Sequence, residues 1–413
     1  MRPKHVTFEE VTEKITRHGF DTGGSASADQ EEFDLASYLP GSILDGKYAV
    51  GNCVGTGSCG WVFQALDRHR RDEQLVCLKV LKLEKYGLDP SLDVEIETAQ
   101  ALRNQHILPI YNLHRAEFNA KGELRRTMYI VSEFCEDGDM GDWAAANRPQ
   151  VPLVDPGTLG PGRSPEVLDQ ARDVERQYRV FFQRFAILMR GAAEGLSHMH
   201  LRGKIHRDVK PSNLFVKGGR SNEPHALVGD FSISRQAVAC KGDVVIGGTK
   251  AYLPFEILNG ESAAEAADNF AFAATVYEIL ADRKAFPIIS GQDGPLSLME
   301  RLLVLPDFGE PLKGAKFFFN DEFFKLLKSG LGQAPEMRPT LGQWEKVFDH
   351  YIKYTDKNGT LLHAELDVNG KPRPVTVPVS KNTARNLTDA GQAARDVHGK
   401  LVEVRPSPGG AVR

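Results

Sequence analysis

Residues Lys204 to Phe215 read KIHRDVKPSNLF, and Gly229-Asp230-Phe231 follows near the start of a second loop. Two carboxylates, a lysine and an asparagine (Asp208, Asp230, Lys210, Asn213) thus fall within a short span of chain. Pro211 would break a helix between Asp208 and Asn213, so these two sit on a loop. Phosphoryl transfer leaves a protein little covalent work. It needs a residue to orient the attacking hydroxyl, oxygen ligands for one or two magnesium ions, and positive charge on the phosphates. Each need has a candidate here.

Around this span lie 413 residues, 41% of them hydrophobic, enough for two domains or one large two-lobed unit with a sizeable core. A formal net charge of −4 with 26% charged residues gives no sequence-wide attraction to nucleic acid or to an anionic membrane. Cys53, Cys59, Cys77, Cys135 and Cys240 are odd in number and lack C-x-x-C spacing, which fits reduced thiols in the cytosol rather than a zinc site. The amino terminus has no apolar core of signal-peptide length, and the most apolar stretch, Phe270 to Ala281, is too short to span a bilayer. A soluble, cytoplasmic protein is expected.

Residues 1–46 read as a polar N-terminal extension with one short helix near Glu9 to Arg17. Strands are predicted at Tyr48–Val54, Trp61–Leu66, Gln74–Leu81 and Met128–Phe134, with a helix at Leu92–Leu102. A Pro- and Gly-rich stretch at 147–164 is read as a surface insertion between two helices. The second of those helices carries Phe181, Phe185, Leu188, Ala192, Leu196 and Met199 at spacings of three and four, one buried face. Further helices are predicted at Ala267–Ala281, Leu296–Leu303, Asp321–Ser329 and Leu341–Tyr354. Residues 355–413 form a polar tail with no assigned order.

Upstream lies Gly55-Thr56-Gly57-Ser58-Cys59-Gly60, whose glycines let the backbone approach a phosphate and aim N–H groups at it. A dinucleotide fold would set such glycines between a strand and a helix, whereas predicted strands flank them here on both sides. Lys79 ends the apolar run Leu75-Val76-Cys77-Leu78 about twenty residues on. A lysine committed to phosphate needs an acid to hold it, and the following helix offers Glu95 and Glu97. Glu95 is preferred, because Ala99 and Leu102 lie four and seven residues beyond it on the buried face.

The glycine turn, Lys79, Glu95, His206-Arg207-Asp208, Lys210, Asn213 and Asp230-Phe231 resemble, in order and spacing, the signature set of the eukaryotic-like (Hanks-type) serine/threonine protein kinases. The resemblance covers about residues 47–350 and extends to Gly248-Thr249, Tyr252-Leu253-Pro254-Phe255-Glu256, Asp268 and Arg338. It implies an α+β, two-lobed fold. A small antiparallel-sheet lobe with one main helix (47–133) would join, through a hinge (134–138), a larger, mainly helical lobe (139–354). It also implies ATP and Mg2+ as cofactors and serine or threonine hydroxyls of proteins as acceptors.

By that resemblance the backbone of Gly55, Gly57, Ser58 and Gly60 covers the ATP phosphates, with Val62 beneath the adenine. Lys79, steadied by Glu95, binds the α- and β-phosphates. Cys77 and Phe215 close the adenine slot, and Glu133 and Cys135 offer it hinge backbone. Asn213 and Asp230 ligate magnesium, Asp208 takes the hydroxyl proton, and Lys210 neutralises the γ-phosphate. Glu256 and Arg338 are expected to form an ion pair. Ser132 stands where the family limits access behind the adenine; it either opens a deeper pocket or merely bonds to nearby backbone.

Two departures from the family pattern stand out: Asp230-Phe231-Ser232 lacks the usual glycine, and Pro254-Phe255-Glu256 replaces the usual Ala-Pro-Glu. In addition, residues 235–248 contain no serine, threonine or tyrosine, so phosphorylation there cannot be the switch, and Asp243 or nothing takes that role beside Arg207. A pseudokinase scaffold and a small-molecule kinase are the competing readings. Retention of Lys79, Glu95, Asp208, Asn213 and Asp230 argues against the first, and Thr249, Tyr252, Glu256 and Arg338 argue against the second.

Overall fold

The computed structural model describes residues 39–57, 60–69, 74–81, 97, 100–120, 123–151, 164–219, 224–230, 239–240, 243–244, 249–261, 264–288 and 295–353. The chain divides into two compact units, Met1–Glu136 and Asp137–Arg413. The first is built on a sheet and the second mainly on helices, as the α+β expectation requires.

The first unit holds β1 (Ile43–Leu44), β2 (Tyr48–Gly57), β3 (Gly60–Asp67), β4 (Gln74–Leu81), β5 (Ile110–Ala120) and β6 (Glu123–Glu133). They form one sheet in the order β1-β2-β3-β4-β6-β5, every pair antiparallel. Side chains alternate across a strand. Phe63, Ala65, Val76, Leu78 and Val80 accordingly enter a core with Tyr48, Val50, Tyr129 and Val131, while Val62, Cys77 and Lys79 between them are only half-buried. Gly60 closes the β2–β3 hairpin opposite Gly57, and a Cβ there would collide with the Val80 carbonyl oxygen of β4. Only glycine lets the two strands approach so closely.

Two parts of this sheet differ from the expectation. Residues 39–46, which composition groups with the polar extension, contribute Leu39, Ile43 and Leu44 to the interior, each at most 1% exposed. Gly41 and Val50 exchange backbone bonds with Val50 and Ser42 at 2.8 Å, and Asp45 and Gly46 turn the chain at positive φ. Three buried apolar residues among small polar ones are too few to register as a strand pattern. Strand β5 has no counterpart in the predicted elements and β6 starts five residues early, because the far end of their hairpin is polar and is carried by backbone pairing from Ala116↔Thr127 to Ala120↔Glu123.

The second unit holds α1 (Met140–Asn147), α2 (Pro165–His200), β7 (Leu214–Lys217), β8 (His225–Val228), β9 (Ala239–Cys240), β10 (Asp243–Val244), α3 (Phe255–Leu258), α4 (Glu265–Ala281), α5 (Pro295–Leu302), α6 (Asp321–Gly330) and α7 (Leu341–Lys353). Helix α2 opens with proline in its first turn, where the missing N–H costs nothing. Its early turns are exposed and carry the pairs Arg172–Asp169, Arg176–Asp173 and Arg179–Glu175. Further along, Phe181, Phe185, Leu188, Ala192, Leu196 and Met199 are all buried, as their spacing predicts. Phe185 meets Phe348 of α7 edge to face at 5.9 Å. Helix α4 is apolar nearly all round and runs through the interior, the environment such a helix needs. Among the described residues no helix is long and apolar enough to cross a membrane.

Arg338 pins this unit. Its side chain is fully buried, and all five N–H groups find acceptors. Nε donates to the Gly332 carbonyl at 3.0 Å; Nη1 donates to Glu256 Oε1 at 2.5 Å and Ala266 O at 3.0 Å; Nη2 donates to Glu256 Oε2 at 2.9 Å and Gln333 O at 3.0 Å. The guanidinium also lies 5.1 Å from the Phe270 ring centre. The expected ion pair with Glu256 is therefore made, and it is bidentate. Removing one partner of such a pair strands the other in a dry site. Arg338→Leu is expected to destabilise this unit by roughly 3–5 kcal/mol, read from the denaturant midpoint of the helical signal; an unchanged midpoint would mean that the pin carries no load.

Candidate active site

In the second unit the polypeptide leaves α2 at His200 and loops through residues 204–213 before entering β7. The loop is organised from beneath by Asp268 in the first turn of α4, 1% exposed. Its Oδ2 accepts from the backbone N–H of His206 and from His200 Nε2, both at 2.8 Å, and its Oδ1 accepts from the N–H of Arg207 at 2.8 Å. A buried carboxylate must be bonded on both oxygens to be tolerated, and this one is. Arg207 adopts φ 67°, a left-handed conformation that costs a non-glycine residue roughly 1–3 kcal/mol and persists only where its surroundings impose it. The bond from its N–H to Asp268 is one such restraint.

His206 ties this loop to the next. The Asp208 N–H donates to His206 Nδ1 at 3.3 Å, so Nδ1 is the acceptor nitrogen. Nε2 must then carry the proton it gives to the Gly229 carbonyl at 3.0 Å. Gly229 N–H in turn donates to the Asn213 carbonyl at 3.0 Å. Asp230, next in the chain, is also left-handed, at φ 52°.

Around the Asp208 carboxylate three side chains come together, Lys210 and Asn213 from the loop and Thr249 from further along the chain. Lys210 Nζ lies 2.9 Å from Asp208 Oδ2 and donates to Thr249 Oγ1 at 2.8 Å. The Thr249 hydroxyl and its backbone N–H both donate to Asp208 Oδ1 at 3.2 Å. Asn213 Nδ2 donates to the Asp208 carbonyl at 2.7 Å and to Oδ2 at 3.1 Å. Since both partners are acceptors, the amide nitrogen must face Asp208 and the amide oxygen must point elsewhere. Tyr252, three residues beyond Thr249, donates its hydroxyl to Glu278. Burial pushes the Tyr252 phenol up, and burial likewise pushes the Glu278 carboxyl above its usual range.

Phe215 is half-buried in β7 and bridges to Asp139, whose side chain caps α1 by accepting from the N–H groups of Gly141 and Asp142 at 2.7 and 3.0 Å. In the first unit, strand pairing sets Val62 opposite Lys79 and Cys77 opposite Ser132, and Gly55 opposite Val62. The Ser132 hydroxyl turns to the Glu133 carbonyl at 3.5 Å, the backbone-bonded alternative. Glu133 ends β6, and Cys77 and Cys135 are half-buried cysteines outside any disulfide. Ser58 and Glu95 lie outside the described residues, as do Phe231 and Ser232; Glu97 is exposed. Sequence reasoning missed His200 and the bonds through which Asp268 holds the loop. A histidine six residues before another is ordinary, and nothing local in the sequence links either one to residue 268.

Comparison with known proteins adds an independent line. A family model described as the protein kinase domain matches residues 48–352. Among curated proteins, the chain is 25% identical over 391 residues to a CBL-interacting protein kinase 13 of Oryza sativa subsp. japonica, covering 91% of this chain and 63% of that protein. It is 27% identical over 314 residues to the Aurora/IPL1-related protein kinase 2 of Caenorhabditis briggsae (75% and 85%). Against Aurora kinase B-A of Xenopus laevis it is 27% identical over 242 residues (58% and 55%). The chain thus spans less than two thirds of the length of the first and third of these relatives. With a matching domain model over most of its length and the loop geometry that its residues build, the chain belongs to the protein kinase family.

Proposed function

We propose that the chain is a serine/threonine protein kinase that moves the γ-phosphoryl group of ATP, with Mg2+, to protein hydroxyls. The observation that carries this reading is the Asp208 carboxylate, held by Lys210, Asn213 and Thr249. A carboxylate fixed in this way can accept the hydrogen bond of an incoming hydroxyl, aim its oxygen and take its proton. Lys210 then supplies fixed positive charge beside the oxygen that attacks. Thr249 and Lys210 flank the acceptor position and favour the short hydroxyls of serine and threonine, in keeping with the resemblance.

Magnesium fits the residues present. The Asn213 amide turns its nitrogen to Asp208, which frees a neutral oxygen donor, and Asp230 follows on a strained turn fastened to the same loop. Among the described residues no three His, Cys, Asp or Glu side chains could hold an ion by themselves. Magnesium is usually held by one or two carboxylates together with substrate phosphates, and Asp230 with the Asn213 amide oxygen would supply donors of that kind. When bound, magnesium neutralises charge on the phosphates. On this reading Lys79 binds the α- and β-phosphates with Glu95 beside it, the backbone of Gly55, Gly57, Ser58 and Gly60 covers them, and Val62, Cys77, Glu133, Cys135 and Phe215 line the adenine site. Cys53, Cys77 and Cys135 stand outside any disulfide, in keeping with a cytoplasmic compartment.

Incubation with γ-labelled ATP, Mg2+ and a generic basic protein tests the proposal. Wild type is expected to label the acceptor, and Asp208→Asn to lower kcat by about 10²–10⁴-fold with nucleotide affinity nearly unchanged. Labelling equal in wild type and Asp208→Asn would overturn it. Lys79→Ala is expected instead to weaken nucleotide binding as well as turnover, and chelation of magnesium to abolish transfer reversibly; transfer that persists in excess chelator would contradict the assignment of Asn213 and Asp230.

A further inference from the structure

Strand β1 lies outside the 48–352 match, and its turn does something that strand order alone does not require. β1 and β5 are the opposite edges of the six-stranded sheet. Nonetheless Asp45, in the turn between β1 and β2, reaches His114 of β5 and Tyr129 of β6. Tyr129 donates its hydroxyl to Asp45 Oδ2, and His114 Nδ1 lies 3.4 Å from the same oxygen. The sheet must curl for these edges to meet.

Around this meeting point the rings stack. His114 and Tyr129 are direct cross-strand partners with ring centroids 4.7 Å apart and planes 5° from parallel. Tyr48 of β2 meets His114 edge-on at 5.6 Å, and its hydroxyl accepts from Asn112 Nδ2 at 3.4 Å. Lys47 lies over the Tyr48 ring at 4.8 Å and pairs with Asp67 of β3 at 3.6 Å. Among described side chains, the titratable or charged groups gathered here are thus Asp45, Lys47, Tyr48, Asp67 and Tyr129.

We propose that Asp45, His114 and Tyr129 form a proton-sensitive clasp that closes the sheet while His114 is neutral and loosens when His114 is protonated. Nδ1 faces the Asp45 carboxylate at 3.4 Å, an acceptor only, so the neutral ring places its proton on Nδ1. Nε2 is buried and has no hydrogen-bond partner among the described residues, so a second proton there would have no acceptor. Burial first, and then the Lys47 charge, hold His114 below its ordinary value of 6.5, while Asp45 pulls the other way. A depressed histidine contributes stability that is complete above 6.5 and is lost as pH falls through its folded value. Acid therefore favours the open form. β2 continues from the clasp into Gly55 and Gly57, so opening would loosen the strand assigned above to the ATP phosphates; that consequence rests on the proposed function, whereas the clasp itself does not.

The test is run on the full chain without nucleotide. With labelled histidine, the His114 resonance is expected to titrate below free histidine in wild type, lower still in Asp45→Asn and higher in Lys47→Met. Lowering the pH from about 7.5 to about 5.5 between separate melts is expected to lower the unfolding temperature several degrees more in wild type than in His114→Phe, which keeps the stacked ring without the proton. Equal losses in the two proteins, or a His114 midpoint indifferent to both charge changes, would overturn the clasp. Since neither readout involves phosphoryl transfer, a kinase assay that fails leaves this result standing, and the converse also holds.

Discussion

Asp268 is the constraint on which the loop around Asp208 depends. Its carboxylate, sealed in the first turn of α4, collects three N–H donors from two segments, the end of α2 and the loop that follows. A buried anion is costly unless bonded, and backbone N–H groups are costly unless accepted, so each requirement meets the other only when the loop adopts this one path. The path forces Arg207 into a left-handed conformation and thereby sets the direction in which Asp208 leaves the backbone. The contacts of the Asp208 carboxylate with Lys210, Asn213 and Thr249 follow from that direction.

From Asp208 the order spreads by hydrogen bonds with little slack. Asn213 closes the loop by bonding back to Asp208, and its own carbonyl accepts from Gly229, adjacent to Asp230. His206 doubles that link through its other nitrogen. Thr249 arrives from a distant part of the chain and is fixed by Lys210 and Asp208 together. Downstream of it the fully satisfied Arg338 fastens Glu256 to the remainder of the helical unit. Such a network is pre-organised, which matters for a reaction whose catalysis is mostly positioning and charge.

Much of this was legible in the sequence because the relevant signals are local. The apolar run over 74–81 marks a strand, the three-and-four spacing over 181–199 reports one buried face, and Pro211 marks a loop without any knowledge of its partners. The order of Lys79, Asp208, Asn213 and Asp230 pointed to the protein kinase family, to which the chain belongs. What stayed hidden was non-local or weakly patterned. The bond from His200 to Asp268 joins residues 68 apart; β1 is two residues long; the outer end of the β5–β6 hairpin pairs through polar sequence that carries no strand pattern. The Asp45–His114–Tyr129 contact depends on sheet curvature, which no single strand encodes.

The most direct measurement of the central claim is a single-turnover transfer from γ-labelled Mg-ATP to a mixed protein acceptor, followed by phosphoamino-acid analysis. If the Asp208, Lys210, Asn213 and Thr249 cluster orients an aliphatic hydroxyl for attack, label accumulates on serine and threonine and disappears in Asp208→Asn. Label confined to tyrosine, or none from wild type that binds the nucleotide, would contradict the account.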